Sequence, residues 1–460
     1  MDIEHIEHFK KMVGSENLYV DKAHLIAYSY DATREHFEPD AVLFPRHEED
    51  VSNILQYCNE HRIIIVPRGA GSGFTGGALP SQGGIVLAFE KHMNRILEID
   101  MENMVAVVQP GVINMDLQRA VEEVGLFYPP DPASQDYSTI GGNVNENAGG
   151  MRAAKYGITK DYVMAIRAVL PNGDVIKAGK RTIKDVAGYN ISGILIASEG
   201  TLAVTTEVTL KLLSKPKMTK TAMGIFESVG QAMEAVYKTM ASGVTPVAME
   251  FLDNLTIRAV EETFNKGLPT EAGAILVTDV DGNLESDLDF QLSQIEKVFR
   301  ENGCSDFKIA KNDAEAADLW FARRNASPAL SVYGSKKLNE DVTVPRAVLP
   351  ELLEKFYAIA EKYQINIPCF GHTGDGNVHT NVMVDGSDPE QVKIAYRAIE
   401  EVFQATIDLG GTLSGEHGIG LAKAPYMGMA FTDEEMNLFK AIKKAFDPNN
   451  ILNPAKMGLD

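Results

Sequence analysis

Two glycine-framed clusters hold the residue types best suited to chemistry here, Gly371-His372-Thr373-Gly374-Asp375-Gly376-Asn377-Val378-His379 and Gly415-Glu416-His417-Gly418. His372 and His379 are seven positions apart, an odd offset that would put them on opposite faces of one regular strand. A helix would realign them, but Gly374 and Gly376 make a helix improbable. The spacing therefore predicts a strand, a Gly-Asp-Gly turn and a second strand, with the imidazoles converging. Two neutral imidazoles and a carboxylate are what a divalent ion such as zinc accepts, and a catalytic site leaves one position open. Glu416 is the natural third ligand. Its neighbour His417 would point the other way in extended chain and is free to act as a base. The plainer alternative is a polar turn, two strand histidines with satisfied partners and a solvated loop.

The elements that position these groups are read from patterning. Residues 50–59 predict an amphipathic helix and residues 62–66 a short β-branched strand, closed by Pro67. A glycine-rich loop follows through Arg68, Gly69, Ala70, Gly71, Ser72 and Gly73 to Gly77, with a formal G-x-G-x-x-G at Gly71, Gly73 and Gly76. A Rossmann fingerprint must open a helix. Here Gly77, Pro80, Gly83 and Gly84 interrupt any helix before the next strand, expected at 85–89. Such glycines can instead fold into a nest of backbone N–H groups around a diphosphate. A second loop, with Pro130, Asp131 and Ser134, leads to Thr139, Gly141 and Gly142 and on to Asn147, Ala148 and Gly149, again rich in backbone and poor in side chain. A third segment with Glu199 and Gly200 opens a strand of clear period two up to Lys211, and Lys215-Pro216-Lys217 marks a domain boundary.

Length and charge set the bounds. A chain of 460 residues implies two or three domains. With 43 basic and 64 acidic residues, a formal charge of −21, nucleic acid and anionic membrane are poor principal partners, and an anionic substrate needs a local basic site. No stretch approaches the roughly 20 apolar residues of a membrane span, and the polar N-terminus predicts a cytoplasmic location. The three cysteines are too scattered for a disulfide framework or an iron–sulfur cluster, so electrons leaving a bound cofactor need a partner.

Taken in order, the glycine loops, Lys184-Asp185-Val186-Ala187-Gly188-Tyr189, Ser198-Glu199-Gly200-Thr201-Leu202, both histidine clusters and residues 447–454, ending in Asn453-Pro454, resemble the vanillyl-alcohol oxidase superfamily. The resemblance is to its FAD-linked D-2-hydroxyacid dehydrogenase branch, which includes the flavin-binding chains of glycolate oxidase and D-lactate dehydrogenases. It implies an α+β fold: a PCMH-type FAD-binding domain of two α+β subdomains over residues 1–215 (core about 38–215). A cap domain with an antiparallel sheet would span 216–414 and carry substrate and metal residues, and 415–460 would return to the FAD domain. Relatives that hold flavin covalently use a histidine in the first glycine loop, and none stands in Gly69-Ala70-Gly71-Ser72-Gly73, so the FAD is expected to be non-covalent.

The same resemblance implies that His372, His379 and Glu416 hold zinc, manganese or iron, that Asn381 lies beside the substrate and that His417 is the base. In Leu319-Trp320-Phe321-Ala322-Arg323-Arg324, Arg323 aligns with the family arginine that binds the substrate carboxylate, a task for which a guanidinium fork is suited, and Arg324 competes. Lys336 and Lys337 are near the position of a family lysine for longer diacids but out of register. The expected reaction is oxidation of a small D-2-hydroxyacid, glycolate or D-lactate, by hydride transfer to flavin N5. Electrons would pass to a second flavin subunit and an iron–sulfur subunit, an electron-transferring flavoprotein, or a quinone. Rival expectations are a flavin subunit that only relays electrons, a metallohydrolase, and an alkyl-phosphate synthase.

Overall fold

The computed structural model describes residues 1–459, which group into two compact units. The first comprises Met1–Gly149, Ile158–Lys215 and Glu416–Asp460, the second Gly150–Gly157 and Pro216–Gly415. The architecture is α+β.

In the first unit the helix Glu48–His61 presents Val51, Ile54, Leu55 and Cys58 to the core, the spacing of one helical face. Burying each apolar side chain is worth roughly 1.5–3 kcal/mol. Arg62, with φ 56°, caps the helix in the left-handed region. This moves the following strand to Ile65–Arg68, two to three residues later than the sequence pattern suggested. Ala41–Leu43, Ile85–Ala88 and Ile65–Arg68 pair in parallel in that order, with Leu18–Tyr19 antiparallel on the outer edge of Ala41–Leu43. No helix forms between Arg68 and Ile85.

A second, antiparallel sheet runs Ile96–Asp100, Val105–Val108, Val204–Lys211, Val163–Val169, Val175–Gly179. The C-terminal tail is stitched into the first sheet: Ile65 N–H donates to the Ile451 carbonyl at 2.8 Å and Asn453 N–H to that of Ile65 at 2.8 Å. Asp447 makes this tight return possible by accepting the N–H groups of Ile451 and Leu452.

The second unit is built on a seven-stranded antiparallel sheet in the order Cys304–Ile309, Met218–Phe226, Ala274–Gly282, Ala248–Asp253, Cys369–His372, Asn377–Val384, Lys336–Thr343. Gly150–Gly157 groups with this unit although a contiguous 1–215 was expected in the first. Its helix Ala153–Tyr156 reaches the sheet, and Tyr156 donates to Asp281 at 2.7 Å. No described helix is long and apolar enough to cross a membrane.

Candidate active site

The strand Ile65–Arg68 delivers the chain into Gly69–Gly73, whose backbone forms one wall of a cavity of about 1330 Å³, mouth included. Gly71 has φ +66°, and a Cβ there would lie 2.1 Å from a guanidinium nitrogen of Arg68. Arg68 is folded back beneath the loop and donates to the Tyr30 carbonyl at 2.8 Å, so the loop is braced from below. Pro67, Ser134, Thr139, Gly141, Gly142, Ala148, Gly149, Glu199 and Gly200 complete the expected residues that line the cavity.

The stretch from Thr139, read as loop, is instead a helix, Ile140–Glu146. Thr139 Oγ1 caps it by accepting Gly142 N–H at 3.2 Å, and Asn147, φ 55°, ends it. Capping at both ends outweighs the poor helix propensity of two glycines and two asparagines in so short a segment.

Four residues expected at the cofactor stand outside the lining. The Pro130 carbonyl takes hydrogen bonds from Asn114 and Gln118. Asp131 is buried in the same loop. Asn147 accepts Lys160 N–H. Asn453 donates to the carbonyls of Gly77 and Glu199, tying the tail to two lining segments.

Glu416 and His417 also line this cavity. Their loop is held from two sides: Thr75 Oγ1 donates to the His417 carbonyl at 3.1 Å, and Glu199 accepts Ile419 N–H at 2.6 Å and Gly420 N–H at 2.7 Å. The extended geometry expected to send the two side chains apart is absent. Residues 415–417 form a bend, Gly418 has φ +83°, and His417 Nε2 lies 4.0 Å from Glu416 Oε1. The two N–H bonds to Glu199 and the left-handed glycine curl the chain. The His417 ring rests against Phe74, centroids 5.2 Å apart.

In the second unit, Cys369–His372 and Asn377–Val384 form a hairpin with Phe370 opposite His379. The turn between them resets the alternation, so the seven-residue offset brings both imidazoles together. Their Nε2 atoms are 3.3 Å apart, rings near perpendicular at 86°. Two nitrogens bound at about 2.05 Å to one tetrahedral ion would be separated by about 3.3 Å, so this pair has the donor geometry a divalent metal needs.

The reason His372 aims this way is Glu250, fully buried, whose Oε1 meets His372 Nδ1 at 2.7 Å. Its other oxygen accepts Arg323 Nε–H at 2.7 Å. A carboxylate on Nδ1 fixes the tautomer that leaves Nε2 as a donor to metal. The guanidinium of Arg323 lies over the Phe370 ring at 4.8 Å and commits only Nε to Glu250. Arg324, next on the helix, is exposed.

Sequence reasoning missed Glu250, although a lone acid within Val247-Ala248-Met249-Glu250-Phe251-Leu252 is a signal: a charge in an apolar strand must have a partner. Asn381, also buried, donates to the carbonyls of Pro368 and His379 and accepts from Asn339 at 2.7 Å. By strand alternation Lys337, opposite Met383, shares the His379 face and donates to Ser327 at 2.6 Å, while Lys336, opposite Val384, is on the other face. Asp341 accepts Ser414 Oγ–H and Gly415 N–H, both at 3.0 Å, pinning the chain one residue before Glu416.

The sequence matches two families, "FAD binding domain" over residues 39–179 and "FAD linked oxidases, C-terminal domain" over residues 215–457. It is 45% identical to glycolate oxidase subunit GlcD of Bacillus subtilis, over 98% of this chain and 96% of that one. Identity to the Escherichia coli GlcD is 37% (96% and 88%), and to D-lactate dehydrogenase of Anaerostipes hadrus 35% (99% and 97%). Similar solved structures are p-cresol methylhydroxylase with substrate bound, TM-score 0.82 at 19% identity over 99% of this chain and 96% of that one, and 4-ethylphenol oxidase from Gulosibacter chungangensis, TM-score 0.78 at 20% over 100% and 98%. At such identity they show a shared fold, of the vanillyl-alcohol oxidase type. A backbone-walled cavity suits a dinucleotide, and by sequence the chain belongs to the FAD-linked oxidoreductases related to glycolate oxidase GlcD and D-lactate dehydrogenase.

Proposed function

We propose that this chain oxidises a small D-2-hydroxyacid, glycolate or D-lactate, to the 2-ketoacid, with FAD held non-covalently and a divalent ion (zinc, manganese or iron) held by His372, His379 and Glu416. When bound, FAD supplies the hydride acceptor at N5 and the ion acidifies the substrate hydroxyl. His417 takes the hydroxyl proton. Arg323 gives only Nε to Glu250 among the described residues, and its remaining N–H groups bind the substrate carboxylate, which orients C2. Asn381 borders the substrate, and Glu250 keeps His372 and Arg323 in register.

In this reading residues 216–414 serve as the substrate and metal domain, and the cofactor is held by residues 1–215 with the tail from 415. The observation that carries the proposal is the His379, His372, Glu250, Arg323 chain, which joins a metal-type donor pair to a carboxylate-type binder through one buried acid. A subunit that merely relays electrons needs the cavity but not this chain of contacts. Relatives called oxidase subunits support assembly with partner subunits. In this reading the chain is cytoplasmic, peripheral to the inner membrane through its partners, and its electrons pass to a second flavin subunit with an iron–sulfur subunit, to an electron-transferring flavoprotein or to a quinone.

The test is anaerobic bleaching of the flavin in metal-replete protein by glycolate and by each lactate enantiomer. D-lactate or glycolate should bleach it within one turnover, and His417→Ala should slow bleaching by about 10²–10⁴-fold with flavin still bound. Undiminished bleaching in that variant would remove His417 as the base. No bleaching of the native protein by any of the acids would sink the reaction itself.

A further inference from the structure

Glu146, the last residue of the helix Ile140–Glu146, brings a second carboxyl to the cofactor cavity beside Glu199. The two acids flank the same backbone. A Cβ on Gly77 would lie 2.7 Å from Glu146 Oε1 and 3.8 Å from Glu199 Oε2, and one on Gly418 would lie 2.1 Å from Glu146 Oε2 and 3.0 Å from Glu199 Oε1. Their surroundings differ sharply. Glu199 accepts two backbone N–H groups, at 2.6 and 2.7 Å, and feels the positive charges of Lys456 and Lys423. Glu146 Oε2 is buried with no hydrogen-bond partner among the described residues.

Two carboxylates cannot both stay charged in one buried site. Burial pushes both up, and Glu146 further, well above the usual carboxylate range, because Glu199 and Asp31 add negative charge around it. The charge therefore settles on Glu199, which has donors to receive it. Glu146 is left as a neutral acid, an O–H donor in the wall of the cavity. An unpartnered buried polar atom costs roughly 1–3 kcal/mol, and one that faces a ligand cavity is a natural contact for the bound ligand.

We infer that Glu146 is a cofactor-contacting residue whose carboxyl donates a hydrogen bond to an acceptor atom of bound FAD. The inference rests on the cofactor alone and stands or falls independently of the hydroxyacid, of His417 and of the metal.

Full-length protein stripped of flavin and titrated with FAD tests it, with flavin fluorescence as the readout. Glu146→Gln, whose amide N–H can donate from the same place, should bind FAD within about threefold of the native chain, whereas Glu146→Leu should bind at least tenfold more weakly. Native affinity in Glu146→Leu would overturn the contact, and a loss in Glu146→Gln as large as in Glu146→Leu would overturn the neutral donor in favour of a carboxylate. Should Glu146→Leu fail to fold, infrared difference spectra decide. A protonated carboxyl band should shift on adding FAD to the native chain and be missing in Glu146→Gln, and a band that does not move rejects the proposal.

Discussion

The cavity wall around Gly69–Gly73 and the cluster around Glu250 solve the problem of holding a polar ligand in opposite ways. The first presents main chain at its glycines, with Arg68 braced beneath Gly71. The second is made of side chains from one face of a sheet and from the helix Asp313–Arg324, each oriented by another: Glu250 by Arg323, and His372 by Glu250. A main-chain site tolerates changes of side chain and is broken by an added Cβ. A side-chain site fails when one functional group is lost, because its buried partner is stranded.

Truncation of Glu250 should have the largest effect. Glu250→Ala leaves the half-buried Arg323 without its carboxylate and frees the buried His372 ring, so thermal or denaturant unfolding should show a loss of about 3 kcal/mol. The milder Glu250→Gln should weaken metal binding about 10–100-fold, measured by metal content after dialysis against a chelator. An unchanged melt in Glu250→Ala would break the contrast between the two regions.

The neighbouring Asp253 gives the second unit a pH signature. Burial lifts its carboxyl from 3.8 to about 6 against the opposing hydrogen bonds from Thr256 and Cys369. The folded state thus holds a proton that the unfolded chain has released between these values, and stability falls as pH rises from about 4 to 6, then levels. The slope amounts to about 3 kcal/mol over the window. Subtracting the pH profile of Asp253→Asn from that of the native chain should isolate it, and coincident profiles would show that Asp253 does not titrate there.

Arg323→Ala should raise KM for a 2-hydroxyacid about 10–100-fold while Arg324→Ala leaves it within about twofold, as expected for a charge-assisted bond made by only one of them. Equal effects would remove the distinction. The smallest change belongs to the backbone region. Gly71→Ala forces a Cβ onto a left-handed residue and against Arg68, so FAD affinity should fall about tenfold. Ser72→Ala next to it should change affinity by less than about threefold. Reversal of that order in an FAD titration would mean that the loop binds through side chains after all.

Much of the local structure was legible because it follows from short-range pattern. The helix Glu48–His61 shows its buried face in the sequence, and Gly374 and Gly376 already dictate a hairpin between the two histidines. The helix Ile140–Glu146 was not legible, because its composition argues against it and its stability comes from caps at both ends. Nor was the bend at 415–417, which depends on a carboxylate more than 200 residues away in sequence.

The sequence by itself determined which chemistry is available: glycine loops that expose main chain, a pair of imidazoles forced onto one hairpin, and an arginine able to grip a carboxylate. These are properties of residue type and near spacing. Only the tertiary structure decided which partners set their state. Glu250 meets His372 across adjacent strands from 122 residues away, and Glu146 and Glu199 share one buried place that neither segment predicts. Tautomer, protonation and orientation depend on groups within a few ångströms, and chain folding rather than chain order chooses those neighbours.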